Sequence, residues 1–322
     1  MVGAVIVTYN SGEVIGRCLD SCTRVPGLSV AVVDNASGDE TRANLRFFPS
    51  VHAIFNEENR GFAAAVNQGI RALDCPYILL LNPDAELMGG LAALVQRLEG
   101  NPRAGAAAGR LIGTDGHDQT KFHLRRLPTA ATLAFEVLAI NRLLPGNPVN
   151  RHYRPGAEPH ALEQPAAAFL LIRRAAWEAL GGFAEEFHPV WFEDVDFCRR
   201  LRDQGWSIDY EPAAVARHIG GHSASSISWS ARQLYWYGSL LRYAVRHYSA
   251  VSRSLVCLAV MAACLPRTVA ALILRRSLEP VLVYSRVFQL AGRSLFRRRP
   301  GGVSNAATSV GQHAARGAGA AG

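Results

Sequence analysis

Gly3-Ala4-Val5-Ile6-Val7-Thr8-Tyr9-Asn10 is an apolar run that stops at polar residues. A run of that length without polar alternation suits a strand buried on both faces, as in a parallel sheet. Working outward, residues 11–22 place Val14, Cys18 and Leu19 on one face at helical spacing. A second buried strand is expected over 28–33, ending at Asp34-Asn35. Ser37-Gly38-Asp39-Glu40 then opens another helix, with Ser37 or Asp39 as its cap. The same reading gives a third strand over 51–56, a helix over 61–73 and a fourth strand over 77–81. That strand ends at Asn82-Pro83-Asp84 and is followed by a helix over 91–98. Regular alternation of this kind predicts an α/β fold with a mostly parallel sheet flanked by helices. Ligands of such sheets bind beyond the carboxyl ends of the strands. Thr8-Tyr9-Asn10, Asp34-Asn35, Asn59 and Asn82-Pro83-Asp84 all fall at that edge.

From residue 105 to 164 the pattern weakens, with Gly and Pro punctuation and a break at Arg125-Arg126-Leu127-Pro128. It reads as a variable insertion, containing one helix over 129–144. A strand over 166–172, a helix over 175–180 and short strands over 208–212 and 214–218 follow. Residues 228–248 form an aromatic, Arg-containing helix. Residues 255–265 are apolar, Pro266-Arg267 interrupts them, and 269–274 resume. The uninterrupted run is too short to span a bilayer. Two readings stand: an interfacial helix or re-entrant hairpin with Arg flanks, or a packed helical subdomain. Residues from Pro300 onward are rich in Gly, Ala and Ser and are expected to be disordered. The expected division is 1–226, a helical basic extension over 227–299, and a tail over 300–322.

Apolar residues make up 49% of the 322 and charged ones 19%, which excludes global disorder. The net charge of +8 is uneven, because Arg267, Arg275, Arg276, Arg286, Arg293, Arg297, Arg298 and Arg299 crowd the last third. Such a region suits an anionic surface, either phospholipid or nucleic acid. No nucleic-acid motif accompanies it, so phospholipid is favoured. The six cysteines make no zinc pattern and read as buried thiols in a reducing compartment. The chain starts directly in a strand, with no signal peptide expected.

Two segments carry candidate chemistry. Asn82-Pro83-Asp84 is good turn chemistry, and an Asp at a strand end can also hold a hard divalent cation that neutralises a diphosphate. Val190-Trp191-Phe192-Glu193-Asp194-Val195-Asp196-Phe197-Cys198-Arg199-Arg200 sets three carboxylates among aromatic and apolar residues. They either complement a helix dipole or serve in catalysis. No Walker or Gly-rich dinucleotide sequence is present.

Five segments occur in register. They are Val7-Thr8-Tyr9-Asn10, Val33-Asp34-Asn35-Ala36-Ser37-Gly38-Asp39, the stretch from Asn59-Arg60-Gly61-Phe62 to Asn67-Gln68-Gly69, Leu80-Leu81-Asn82-Pro83-Asp84-Ala85, and Phe192-Glu193-Asp194-Val195-Asp196-Phe197-Cys198. Together they resemble a family 2 glycosyltransferase of the GT-A fold, in particular its bacterial rhamnosyltransferase-like branch. The resemblance implies a Rossmann-like sheet with, here, a C-terminal helical extension. It implies that Thr8, Tyr9 and Asn10 line the nucleotide pocket. Asp34 would accept a hydrogen bond from the pyrimidine or its ribose, with Asn35 beside it. Asn59, Gly61 and Asn67 would support the base and diphosphate, Gly61 by letting the backbone approach closely. Asn82 stands where the family usually has the first Asp of Asp-x-Asp. That departure leaves Asp84 as the chief ligand of Mg2+ or Mn2+.

His218, followed by Gly220, Gly221 and Ser223, resembles the family's distal His-x-x-Gly-x-Ser segment, whose His completes the metal site. A structural strand histidine is the competing reading, and His222 a weaker candidate for the same role. The resemblance further implies inverting transfer with Asp194 as base and Glu193 orienting the acceptor or Asp194. Asp196 would cap the following helix or pair with Arg199 or Arg200. Trp191 would wall the acceptor or simply pack in the core. The implied donor is dTDP-L-rhamnose and the implied acceptor a polyprenyl-linked or cell-envelope saccharide. The implied location is the cytoplasmic face of the membrane, with no nucleic acid as partner. Galactofuranosyl, glucosyl or other hexosyl transfer is the alternative within the family. A non-catalytic sugar-nucleotide-binding module is the alternative outside catalysis.

Overall fold

The computed structural model describes residues 1–149, 153, 161–220 and 227–297. Its first part runs β1 (Val2–Thr8), α1 (Gly12–Thr23), β2 (Leu28–Asp34), α2 (Thr41–Leu45), β3 (His52–Phe55), α3 (Phe62–Arg71), β4 (Tyr77–Leu81), β5 (Ala85–Gly89) and α4 (Leu91–Gly100). The middle holds β6 (Ala104–Ile112), α5 (Thr120–His123), β7 (Leu124–Arg125), α6 (Ala130–Val137), α7 (Ile140–Leu143), β8 (Gln164–Pro165), β9 (Phe169–Arg173), α8 (Arg174–Ala179), α9 (Glu193–Asp203) and β10 (Ser207–His218). Three helices follow: α10 (Trp229–His247), α11 (Ala250–Arg275) and α12 (Glu279–Phe296).

Eight strands form one sheet in the order β3-β2-β1-β4-β9-β6-β10-β5. Strands β1 to β4, β6 and β10 share one direction, while β9 and β5 run against their neighbours. All seven residues of β1 are buried, as its apolar run requires. The sheet carries one apolar core on each face, and a third core joins α10, α11 and α12 to α6 and to Val195 of α9.

Several expectations need correction. Residues 104–112, expected to lie in an insertion, form the interior strand β6. Small residues are required there. A Cβ on Gly109 would lie 2.0 Å from Cε1 of Phe169, and one on Gly105 would lie 2.9 Å from Cδ2 of Leu201. The helix expected over 129–144 is two, parted at Ala139, whose φ is 60°. The two short strands expected over 208–218 are one irregular strand, β10. Asp39 accepts from the Gly12 N–H at the start of α1 and from the Thr41 N–H at the start of α2, so it serves both helices. Pro266 does not interrupt α11, which runs through it for 26 residues. Proline forfeits one backbone hydrogen bond. Packing compensates: the Arg267 guanidinium donates to the Val137 carbonyl of α6, and Thr268 Oγ1 donates to the Cys264 carbonyl. Gly221, His222, Ser223 and the tail from Pro300 lie outside the described residues.

Candidate active site

A cavity of about 990 Å³ opens at the carboxyl edge of the sheet. Tyr9 follows β1, Asn35 follows β2, and Asn82, Pro83 and Asp84 follow β4, so three strand ends feed one wall. Asn59 and His218 complete that polar side, while Trp191, Glu193 and Asp194 stand on another. Leu127, Leu133, Tyr235 and Trp236 add apolar lining from α10 and the segment around α6.

Asp84 and His218 form a pair suited to a cation. His218 Nδ1 lies 2.8 Å from Gln119 Oε1, while Gln119 Nε2 donates to the His218 carbonyl. The glutamine amide is thereby oriented with its oxygen toward Nδ1, which must carry the proton. In neutral His218 the unprotonated Nε2 then lies 3.4 Å from Asp84 Oδ1 and 3.4 Å from the Asn82 amide nitrogen, and Asp84 Oδ1 is buried without a hydrogen-bond partner. Two acceptors facing each other leave a place for a positive ion. Asp84 Oδ2 accepts from the Gly220 N–H. Burial pushes the Asp84 carboxyl up; a proton on His218 Nε2, in the place a cation would otherwise take, would donate to Asp84, and that hydrogen bond and charge hold the group below its ordinary range. Among the described residues no cluster of three His, Cys, Asp or Glu exists. A cation here would have two ligands among the described residues, with phosphate or water able to supply others. Phe122 stacks on His218 with ring centroids 5.2 Å apart and fixes the imidazole plane.

The acidic segment begins with backbone strain. Trp191 and Phe192 have φ of 75° and 71°, a conformation rare for aromatic residues. It is held by neighbours. Ser239 Oγ of α10 donates to the Val190 carbonyl, and the Phe192 ring packs against Tyr243 at 5.5 Å. This kink delivers Glu193 and Asp194 to the cavity as the first turn of α9. Asp194 Oδ2 accepts from Arg125 at 3.1 Å and from Gln164 at 3.3 Å, and Oδ1 from the Val195 N–H. Glu193 Oε2 is buried with no partner. Burial, and then the Asp194 charge, push the Glu193 carboxyl well above its ordinary range. Of the two neighbours, Glu193 is the one whose surroundings favour its protonated form, while Asp194 faces the Arg125 guanidinium.

The pattern of glycosyl transferase family 2 matches residues 4–175, more than half of the chain. The chain belongs to glycosyltransferase family 2. This hexosyltransferase is 31% identical over 240 residues to the N-acetylglucosaminyl-diphospho-decaprenol L-rhamnosyltransferase of Mycobacterium tuberculosis, covering 68% of this chain and 76% of the relative. Among solved structures it resembles Staphylococcus aureus TarS 1-349 in complex with UDP-GlcNAc, with TM-score 0.56, 15% identity and coverage of 91% and 81%. It also resembles the mannosyltransferase PcManGT of Pyrobaculum calidifontis in complex with GDP-Man and Mn2+, with TM-score 0.51, 17% identity and coverage of 91% and 86%. The fold is the GT-A fold of these enzymes.

Not every expected site residue of the glycosyltransferase faces the cavity. Thr8 and Asp34 are fully buried. Asp34 accepts from the Thr8 hydroxyl, the Arg42 guanidinium at 2.6 Å and the Ser37 N–H. Asn10 is tied to Ser37 and Gly38. The close approach that Gly61 allows is to His188 and Pro189, since a Cβ there would lie 2.8 Å from His188 Nδ1. Asn67 departs furthest from expectation. Its amide donates to the Phe183 carbonyl and to Glu185, and accepts from the Phe183 N–H and the Trp177 indole, leaving no capacity for a ligand. Asp196 pairs with Arg200 and also accepts from His247 of α10. Sequence reading missed Arg125, Gln164 and Gln119. Arg125 was visible only as part of a chain break, and the two glutamines lay in a stretch without periodic pattern.

Proposed function

We propose that the cavity performs inverting transfer of L-rhamnose from dTDP-L-rhamnose to a polyprenyl-diphosphate-linked saccharide at the cytoplasmic face of the membrane. The mycobacterial relative supports the sugar and the acceptor class by its name. The observation that carries the chemistry is the lining of one cavity by both the Asp84–His218 pair and the Glu193–Asp194 pair. Tyr9, Asn35 and Asn59 would hold the nucleoside, with Asn82 at the diphosphate. Thr8, Asn10, Asp34 and Gly61 would brace that wall from behind. A Mg2+ or Mn2+ ion held by Asp84 and His218 would neutralise the departing diphosphate. Asp194 would accept the proton of the acceptor hydroxyl as its oxygen bonds to the anomeric carbon. The bond to phosphate then breaks on the opposite face, and its electron pair leaves with the nucleoside diphosphate. Glu193, holding a proton, would donate a hydrogen bond to the acceptor sugar. Trp191 would give that sugar an apolar wall.

A thermal-shift screen of nucleotide sugars with and without Mn2+ tests the donor. The expected result is a metal-dependent shift largest for dTDP-rhamnose and absent in Asp84→Ala. A larger shift for UDP-galactofuranose or UDP-glucose would replace the sugar, and an unchanged shift in Asp84→Ala would remove the metal assignment.

A further inference from the structure

The outer face of α11 is a continuous apolar stripe. Val251, Leu255, Leu258, Ala262, Leu265, Val269 and Ile273 follow one another at intervals of three and four residues, so they share one side of the helix. All seven are exposed, with Val251, Leu265 and Ile273 each more than 70% accessible. No charge interrupts them. The opposite side of α11 is sealed, because Val256, Cys257, Val260 and Cys264 lie in the core shared with α10, α12 and α6.

Along α11 and α12 the charge is nearly all of one sign, with Glu136 of the adjoining α6 an exposed acid beside Arg267. From Ala250 to Arg297 there are seven arginines and a single acid, Glu279. Arg253 and Arg267 are held by backbone carbonyls, and Arg275 by Glu279. Arg276, Arg286 and Arg293 have no acidic partner among the described residues. A second copy of the chain docking here would bring two cationic rims together, whereas an anionic lipid surface complements both the stripe and the rim.

We infer that α11 is a monotopic membrane-docking helix, lying flat in the headgroup region of an anionic bilayer with residues 251–273 of its outer stripe in the acyl boundary. The helix is apolar enough to cross a bilayer, with mean hydropathy 2.1 over 18 residues. Crossing would strip it from α6, α10 and α12 and empty the third core, so the in-plane placement is the one that keeps the fold. This deepens the membrane-linked acceptor proposed above and rests on that reading only for its purpose. The apolar cavity lining around α6 and α10 stands beside the same helices, so docking would bring the acceptor side of the cavity toward the lipid.

The test is vesicle flotation of the full chain with phosphatidylcholine alone and with phosphatidylcholine mixed with phosphatidylglycerol. Wild-type protein is expected to float with the mixed vesicles and to be released by alkaline carbonate. The triple variant Leu258→Asp, Leu265→Asp, Ile273→Asp should lose flotation while keeping its melting temperature and its donor-dependent thermal shift. Arg276→Gln, Arg286→Gln, Arg293→Gln should weaken binding about a hundredfold. Flotation of the Asp variant equal to wild type would overturn the inference. So would resistance to carbonate, which marks a spanning helix, or a wild-type dimer in sedimentation that the Asp variant abolishes. Loss of the donor shift in wild-type protein would instead count against the proposed enzyme activity and leave the docking result standing.

Discussion

At the residue scale, the two neighbouring carboxyls of α9 divide their work through their surroundings. Asp194 meets Arg125 and Gln164, while Glu193 is buried with one oxygen unpartnered. A carboxyl raised by burial contributes stability below its ordinary value of 4.5, and that contribution is lost as pH rises through the raised value. Glu193→Gln removes this loss. Its melting temperature relative to wild type should therefore climb as pH goes from acidic to alkaline, read by calorimetry across that range. A constant difference at all pH values would mean that Glu193 does not titrate in this window. The acidic cluster itself was legible in the sequence, because carboxylates among Trp, Phe and Val call for a reason. The left-handed backbone of Trp191 and Phe192 was not, since neither residue type favours it and only packing from α10 enforces it.

At the element scale, strands with strong apolar runs declared themselves. Strands β1, β2 and β4 sit where their Val, Ile and Leu content put them, and Tyr9, Asn35 and Asn82 just after them line the cavity. Strand β6 was hidden because Ala-Gly-Ala-Ala-Ala-Gly has none of the β-branched bulk that marks a strand. Its composition is set from outside, by Phe169 of β9 and Leu201 of α9 pressing on Gly109 and Gly105. Gly109→Ala should accordingly destabilise the protein by about 1–3 kcal/mol, measured by urea unfolding. The Phe169 ring is fully buried and has little room to yield. A neutral effect would show that the sheet relaxes more than its packing allows. The edge strand β5 was missed for a different reason: five residues after a turn give too short a pattern to read.

At the scale of the whole molecule, the C-terminal helices share a cavity wall with the sheet edge and a core with α6 and α9. The proposed boundary near residue 226 separates architectures rather than apolar interiors. One ionic cluster crosses it: buried Asp196 of α9 meets Arg200, and also Arg246 and His247 of α10. Burial pushes the Asp196 carboxyl up, but hydrogen bonding from His247 and the two guanidinium charges hold it below its ordinary range. Asp196→Ala leaves those cations facing a void, and because Arg246 is partly exposed the expected loss is about 3 kcal/mol, the low end for a broken buried pair. Denaturant unfolding checks it, and a loss under about 1 kcal/mol would mean the cluster is solvated. The sequence left Asp196 as a helix cap or a partner of Arg199 or Arg200, and the fold selects Arg200; the α10 partners are about fifty residues away and became visible only in the fold. The central claim, that this assembled cavity transfers rhamnose with Asp194 as base, is tested most directly by dTDP release. The assay uses dTDP-rhamnose, Mn2+ and a polyprenyl-diphosphate-linked N-acetylglucosamine acceptor, for wild type and Asp194→Asn. The account predicts turnover by wild type, and in the variant a kcat lower by about 10²–10⁴ with donor binding unchanged. Wild-type turnover by Asp194→Asn would contradict it.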